Sequence, residues 1–164
     1  MFREASVKEV MSKEVVSVKT QTPLREVVQI LDKRNISGVP VVDSENRVVG
    51  VISERDILKH SRWIIGHPVR NYSELFRSSE AACVEAQRGM EMVELVASTT
   101  AGKLMTEKVF TVHQDAPVLE AVQLLNQHGI NRLPVVDDEN KLQGLVTRAD
   151  VINIIEKWAE SNQI

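Results

Sequence analysis

Cysteine is nearly absent from this sequence: Cys83 stands alone among 164 residues. A single thiol excludes an intrachain disulfide framework and offers no metal-ligand spacing. Apolar runs long enough to cross a bilayer are also missing, and the N-terminal "MFREASVKEVM" lacks the apolar stretch of a secretory signal. Positive charge is in short supply, with 20 Lys and Arg against 23 Asp and Glu. The net charge of −3 leaves no basic field to attract nucleic acid or an anionic membrane. The four histidines, at 60, 67, 113 and 128, are scattered, with no H-E-x-x-H pair. Neither a G-x-S-x-G elbow nor a P-loop occurs. These absences predict a cytoplasmic, non-catalytic protein without a bound metal, and without nucleic acid or membrane as partner.

What the chain does have is a repeat. "VPVVDSENRVVGVISERDIL" at 39–58 returns as "LPVVDDENKLQGLVTRADVI" at 133–152, 94 positions on. The match extends backwards without a gap. Met11 meets Met105, Pro23 meets Pro117, Ile36 meets Ile130, and Asp56 meets Asp150, with roughly a third of the pairs identical over 11–58 against 105–152. A solenoid repeats every 20–50 residues; one copy at this spacing instead indicates two related modules. The apolar content of 43% and charged content of 26% suit a soluble globular fold.

Both copies predict the same elements. "VVSV" (15–18) and "VFTV" (109–112) are β-branched runs that read as strands. A helix is expected from Pro23, with Leu24, Val27, Val28 and Leu31 as its apolar stripe; Val118, Ala121, Val122 and Leu125 repeat that stripe after Pro117. "VPVV" and "LPVV" give second strands, "DSEN" and "DDEN" give turns, and "VVGVI" and "LQGLV" give third strands in hairpins. A last helix starts near Ser53 and Thr147. The order β-α-β-β-α places the first two strands parallel. The predicted fold class is therefore mixed α/β (α+β), with domains at 7–60 and 101–160 and a mainly helical insertion over 61–100. In the insertion, Asn71 with Glu74 resembles a capping box, Gly89 is a weak point, and Cys83 falls in a helix-forming run.

Chemistry is concentrated where the third strand meets the last helix. Ser53-Glu54-Arg55-Asp56 and Thr147-Arg148-Ala149-Asp150 each read in one way as helix caps. Two physical points favour a ligand. A helix start presents free N–H groups that suit a phosphate. A carboxylate one turn in suits a ribose, whose vicinal hydroxyls both donate to it. Together they fit a phosphorylated nucleoside better than a bare anion.

The element order, the "GVPVVD" and "RLPVVD" strands and the "SERDI" and "TRADV" helix starts resemble a tandem pair of cystathionine-β-synthase (CBS) domains, often called a Bateman module. The resemblance covers about 100 residues. It implies two repeats in a pseudo-twofold arrangement, which bind adenosine-containing ligands such as AMP, ADP or ATP in clefts between them, with Mg²⁺ carried in by ATP. Asp56 and Asp150 would hold ribose, with Ser53 and Thr147 beside ribose or phosphate. The adenine pockets would be lined by Ile36, Ser37, Gly38, Val39 and Pro40, and by Ile130, Asn131, Arg132, Leu133 and Pro134. Thr20 and Thr22, or Gln114 and Asp115, lie at the opposite edge. For Ile36 and Ile130 core packing is an equal reading, and Thr22 and Asp115 also read as helix caps.

The copies differ in charge. Arg132 and Arg148 stand where the first copy has Gly38 and Glu54, whereas Arg55 gives way to Ala149. Arg148 is therefore expected with Arg132 at the nucleotide, and the second copy should attract phosphates, while Glu54 partly offsets Arg55 in the first. In its "RLPV" context the resemblance implies that Arg132 reaches nucleotide phosphates; otherwise it is a solvated surface charge. A regulatory sensor that signals to a separate, unidentified protein is the expected function. A ligand-independent dimeric interaction module is the alternative, and a regulatory fragment of a larger enzyme or transporter, against which the initial Met is read, is the third. Homodimerisation is expected, with Ile154, Ile155 and Trp158 available for the contact.

Overall fold

The computed structural model describes residues 5–65 and 96–161, apart from the side chains of 61–65, Trp158 and Ser161. His67, Cys83, Gly89 and the Asn71–Glu74 cap expected in the insertion lie outside the described residues.

In the N-terminal repeat, β1 (Val18–Lys19), α2 (Leu24–Arg34), β2 (Gly38–Val42), β3 (Val48–Ser53) and α3 (Glu54–Ile65) follow α1 (Val7–Val10). The C-terminal repeat has α4 (Ala101–Leu104), β4 (Val112–His113), α5 (Val118–Gln127), β5 (Arg132–Val136), β6 (Leu142–Thr147) and α6 (Arg148–Ser161). Each repeat forms a three-stranded sheet, ordered β1-β2-β3 and β4-β5-β6. The first strands pair parallel to the second, Val18 with Val41 and Val112 with Val135. They are shorter than the runs at 15–18 and 109–112 suggested. Only two residues of each ladder to the neighbouring strand, and Val15, Val16 and Ser17 are merely half-buried.

The helices begin where the prolines indicate, with Pro23 and Pro117 as the caps. Of the predicted stripes, Leu24, Val27 and Leu31 are buried in α2, as are Val118, Ala121 and Leu125 in α5. The central strand β2 is buried at all five positions, which explains its unbroken apolar run. Strand β3 alternates buried and half-buried residues, as expected where one face is covered.

The hairpin turns follow their side-chain chemistry. Asp43 Oδ1 accepts from the Glu45 and Arg47 amides at 2.9 and 2.8 Å; Asp137 Oδ1 accepts from those of Glu139 and Lys141 at 3.0 and 2.9 Å. Asn46 and Asn140 close the turns at φ of 66° and 60°, a left-handed conformation that asparagine tolerates. These amides hold both carboxyls below the ordinary carboxylate range, those of Arg47 and Lys141 contributing most.

The chain divides into two compact units, whose boundaries cut across the repeats. One comprises Met1–Val16, Asp43–Val48 and Lys108–Ile164; the other comprises Ser17–Val42 and Val49–Glu107. Each therefore joins the sheet of one repeat to the short helix that precedes the other repeat's first strand. In the first unit, Val7 of α1 is fully buried in a core with Val112, Ala121, Leu125, Leu133, Val135 and Val146. Its amide donates to Ala116 O at 2.9 Å, and that of Lys8 to Gln114 O at 2.8 Å. In the second unit, α4 makes the matching bonds: Ala101 to Thr22 O and Gly102 to Thr20 O, each at 2.8 Å. A small three-stranded sheet lacks cover for its apolar face, and these short helices supply some of it.

Candidate functional site

In each unit the two halves of the expected site are brought together by one main-chain bond. The Glu54 amide donates to Ser37 O at 3.1 Å, and that of Arg148 to Asn131 O at 3.3 Å. The start of the second strand thus lies against the start of the last helix, although 17 residues separate them in sequence. Gly38, Val39 and Pro40 are buried beside that junction, Ile36 is half-buried and Ser37 exposed. In the other unit Leu133 and Pro134 are buried, Ile130 and Arg132 half-buried and Asn131 exposed.

The Ser/Thr-x-x-Asp stretches form closed loops. Asp56 Oδ2 accepts from the Ser53 amide at 2.9 Å and from the Ser53 hydroxyl. Asp150 Oδ2 accepts from the Thr147 amide at 2.7 Å and from its hydroxyl at 2.6 Å. One carboxylate oxygen of each aspartate is therefore committed to capping the helix, and the other decides what else the group can do. Asp56 Oδ1 accepts from the Thr106 hydroxyl at 3.1 Å. Asp150 Oδ1 has no hydrogen-bond partner among the described residues. Thr106 was invisible to motif reading, because it lies 50 residues from its partner.

Arg132 pairs directly across the β5–β6 ladder with Thr147. Directly opposed residues share a face of the sheet, so Arg132 stands on the side of Thr147 and the Asp150 loop. Arg148, expected at the nucleotide, is instead turned to main-chain carbonyls. Its Nε donates to Ile130 O at 3.0 Å and its Nη2 to Leu125 O at 3.3 Å, the latter a carbonyl in the last turn of α5. It ties the helix end to the segment that follows, a favourable place for a cation.

At the opposite edge, Thr20 is packed under Gly102, and Thr22 Oγ1 accepts from the Lys19 amide at 2.9 Å. Gln114 O accepts the Lys8 amide. Asp115 forms an exposed ion pair with Lys8 at 2.6 Å. The Lys8 ammonium holds the Asp115 carboxyl below its ordinary value, and the carboxylate raises Lys8 in turn. Neither Thr22 nor Asp115 caps a helix, since Pro23 and Pro117 occupy the cap positions. His113 receives the Asp115 amide at Nδ1, 3.2 Å away, and its Nε2 lies 3.2 Å from Asp138 Oδ1.

Two glycines admit methionine. A Cβ on Gly50 would collide with the Met105 sulfur, and one on Gly144 with that of Met11. These contacts seat Thr106 and Ser12 as edge residues, bridged to Val51 and Leu145 respectively. Among the described residues no cluster of His, Cys, Asp and Glu is arranged to hold a metal ion. No helix among them is long and apolar enough to cross a membrane.

Comparison with known proteins agrees with this architecture. The CBS domain family model matches residues 7–62 and again 101–157. An uncharacterized protein of Methanocaldococcus jannaschii is 33% identical over 156 residues, 91% of this chain and 90% of that protein. Two further relatives are longer, and the chain spans 37% of one and 22% of the other. The CBS domain pair of the protein MJ0100, solved with 5′-methylthioadenosine and S-adenosyl-L-methionine, superposes with a TM-score of 0.66 at 27% identity, covering 93% of this chain and 97% of that one. The protein CBSX2, known from Arabidopsis thaliana and solved with AMP, gives a TM-score of 0.68 at 25% identity, covering 93% and 96%. With two matches in register with its internal repeat and a fold shared with solved domain pairs, this chain belongs to the CBS domain family.

Proposed function

We propose that the protein is a cytoplasmic, non-catalytic sensor that binds an adenosine-containing ligand at its strand-to-helix sites and passes occupancy to a separate partner protein. The observation that carries this reading is the Asp150 loop. Its half-buried carboxylate keeps one oxygen without a partner among the described residues, on the sheet face that also presents Arg132. A diol-accepting carboxylate near a guanidinium matches a ribose with a phosphate attached. The solved relatives carrying AMP, or S-adenosyl-L-methionine and 5′-methylthioadenosine, support the adenosine moiety. They differ in what the adenosine carries, so AMP, ADP and ATP, the last with its Mg²⁺, stand beside the sulfonium class as test ligands.

A ligand at 100 times its dissociation constant stabilises the folded state by about 2.7 kcal/mol. For a chain of this size that raises the melting temperature by about 5–10 °C. A thermal-shift panel of AMP, ADP, ATP, S-adenosyl-L-methionine and 5′-methylthioadenosine should show such a rise with at least one member. No rise with any of them leaves the ligand-independent interaction module as the better account.

We also propose that the chain is a homodimer joined through α5 and α6. Ile152 is 64% exposed and Ile155 50%, one turn apart on α6, and Leu119 on the adjacent α5 is 36% exposed. Beside them Val122, Leu125, Asn126, Arg148, Val151 and Ile152 line a groove of 190 Å³. That is smaller than the roughly 300 Å³ of a small-molecule pocket, and it suits an inserted side chain. Exposed isoleucines on a paired-helix face are costly unless covered. Of the residues expected for the contact, Ile155 lies on this face, Ile154 is half-buried, and the Trp158 side chain falls outside the described residues. Sedimentation at tens of micromolar should give the mass of two chains, reduced to one by Ile152→Asp with Ile155→Asp. A wild-type mass of one chain refutes the dimer.

A further inference from the structure

The two aspartates differ in how many hydrogen bonds they can still accept. A carboxylate offers about four lone-pair positions, two on each oxygen. In both repeats Oδ2 is filled by an amide and a hydroxyl, from Ser53 in one and Thr147 in the other. On Asp56 the Thr106 hydroxyl takes a third position through Oδ1. On Asp150 both positions of Oδ1 are open among the described residues. A ribose presents two vicinal hydroxyls; Asp150 can accept both, and Asp56 only one.

Thr106 is not a loosely placed side chain. Its amide donates to Val51 O at 2.9 Å, and its carbonyl accepts the Val51 amide at 3.1 Å. Met105 beside it lies against Gly50, in space that any side chain there would fill. Ser12 is the matching residue of the other repeat and makes the same pair of bonds to Leu145, at 2.9 and 3.0 Å. Yet no hydrogen bond joins Ser12 to Asp150, and Ser12 is exposed. The main-chain framework is thus duplicated, whereas the hydroxyl on the carboxylate is not.

We propose that Thr106 is an affinity-determining residue that competes with ribose for Asp56 and makes the N-terminal repeat the weaker of two adenosine sites. The proposal rests on the adenosine reading above. It deepens that reading by assigning unequal affinities to a third residue that contacts neither a phosphate nor the base. A diol approaching Asp56 must either displace the Thr106 hydroxyl or leave one of its own unpaired, and each outcome weakens binding.

Calorimetric titration with AMP and with 2′-deoxy-AMP tests it on the full chain. Thr106→Val keeps the shape and removes the hydroxyl. It should tighten the weaker AMP site about tenfold or more, the equivalent of one charge-assisted hydrogen bond, or bring that site into range if it escapes detection in the wild type. The tighter site should not change. With 2′-deoxy-AMP, which offers a single hydroxyl, the gain should vanish. Thr106→Ser retains the donor and should titrate like the wild type. An unchanged or weakened second site in Thr106→Val, with the tight site intact, overturns the role of Thr106 and leaves the adenosine reading standing. A gain of equal size with 2′-deoxy-AMP also overturns it, by showing that acceptor competition is not the cause. Absence of AMP and 2′-deoxy-AMP binding in every variant overturns the role of Thr106 as a competitor for AMP, and the thermal-shift panel decides separately whether the adenosine reading falls as well.

Discussion

Replacing Asp150 by alanine is expected to abolish the tighter ligand site, with Asp56→Ala affecting only the weaker one. Asp150 brings a carboxylate oxygen that has no partner among the described residues to the same sheet face as Arg132. Losing hydrogen bonds to a charged group costs about 1.5–3 kcal/mol each, or about ten- to a hundredfold in affinity. Two ribose hydroxyls lose their acceptor in the variant, so the tight site should fall out of calorimetric range. Asp150→Ala also removes half of the helix cap, because the Thr147 amide and hydroxyl donate to that carboxylate, while the bond from the Asp150 amide to the Thr147 hydroxyl remains. Asp150→Asn therefore belongs in the experiment: it keeps an acceptor for the cap but offers no second carboxylate oxygen. Arg132→Ala should weaken AMP about ten- to a hundredfold while leaving adenosine itself little affected, since only the phosphate is lost to it. Arg148→Ala differs in kind. Its donors serve the Ile130 and Leu125 carbonyls, so its cost should fall on stability. If Asp56→Ala removes the tight site and Asp150→Ala spares it, the assignment to the C-terminal repeat is wrong.

Leu133→Ala is expected to be the most destabilising of the simple substitutions, at about 2–5 kcal/mol. Leu133 is fully buried on β5 and packs in one cluster with Val7, Val112, Leu125 and Val146. These neighbours come from two strands and two helices, so no single side chain can relax into the void. Set against a total stability of about 5–15 kcal/mol, the loss is a large fraction. Urea denaturation should shift its midpoint by about 1 M or more, with the slope unchanged. Gln29→Ala makes a suitable control, since Gln29 is exposed on α2, outside the proposed dimer contact, and its truncation should change stability by under about 0.5 kcal/mol. A midpoint shift for Leu133→Ala no larger than that of the control contradicts the packing described for this unit.

The fold was legible in the sequence wherever physics acts over a few residues. Leu24, Val27 and Leu31 recur at helical spacing because one face of α2 must be apolar, and all three are buried. Asp43 and Asp137 close their turns with their own carboxylates, a geometry that needs only the next four residues. Pro23 and Pro117 mark the helix starts in both copies. Ser53 with Asp56 and Thr147 with Asp150 could be paired on paper because three residues separate them. The repeat itself doubled every such signal.

Tertiary structure decided what distance hides. Nothing in "SVKEV" says that Val7 will be buried among residues more than 100 positions later, because a four-residue helix carries no periodicity to read. The exchange of α1 and α4 between the sheets follows from which apolar surface is left uncovered, a property of assembled sheets and not of any segment. Arg132 and Arg148 looked alike in the sequence. A strand register set one across from Thr147, while the end of α5 claimed the other. Thr106 reaches Asp56 only because Met105 fits over Gly50 and the edge pairs with Val51. The residues proposed to accept a ribose were thus written locally, but the number of hydrogen bonds each can still accept among the described residues was settled by contacts between distant segments, whose free energy depends on packing that no local pattern encodes.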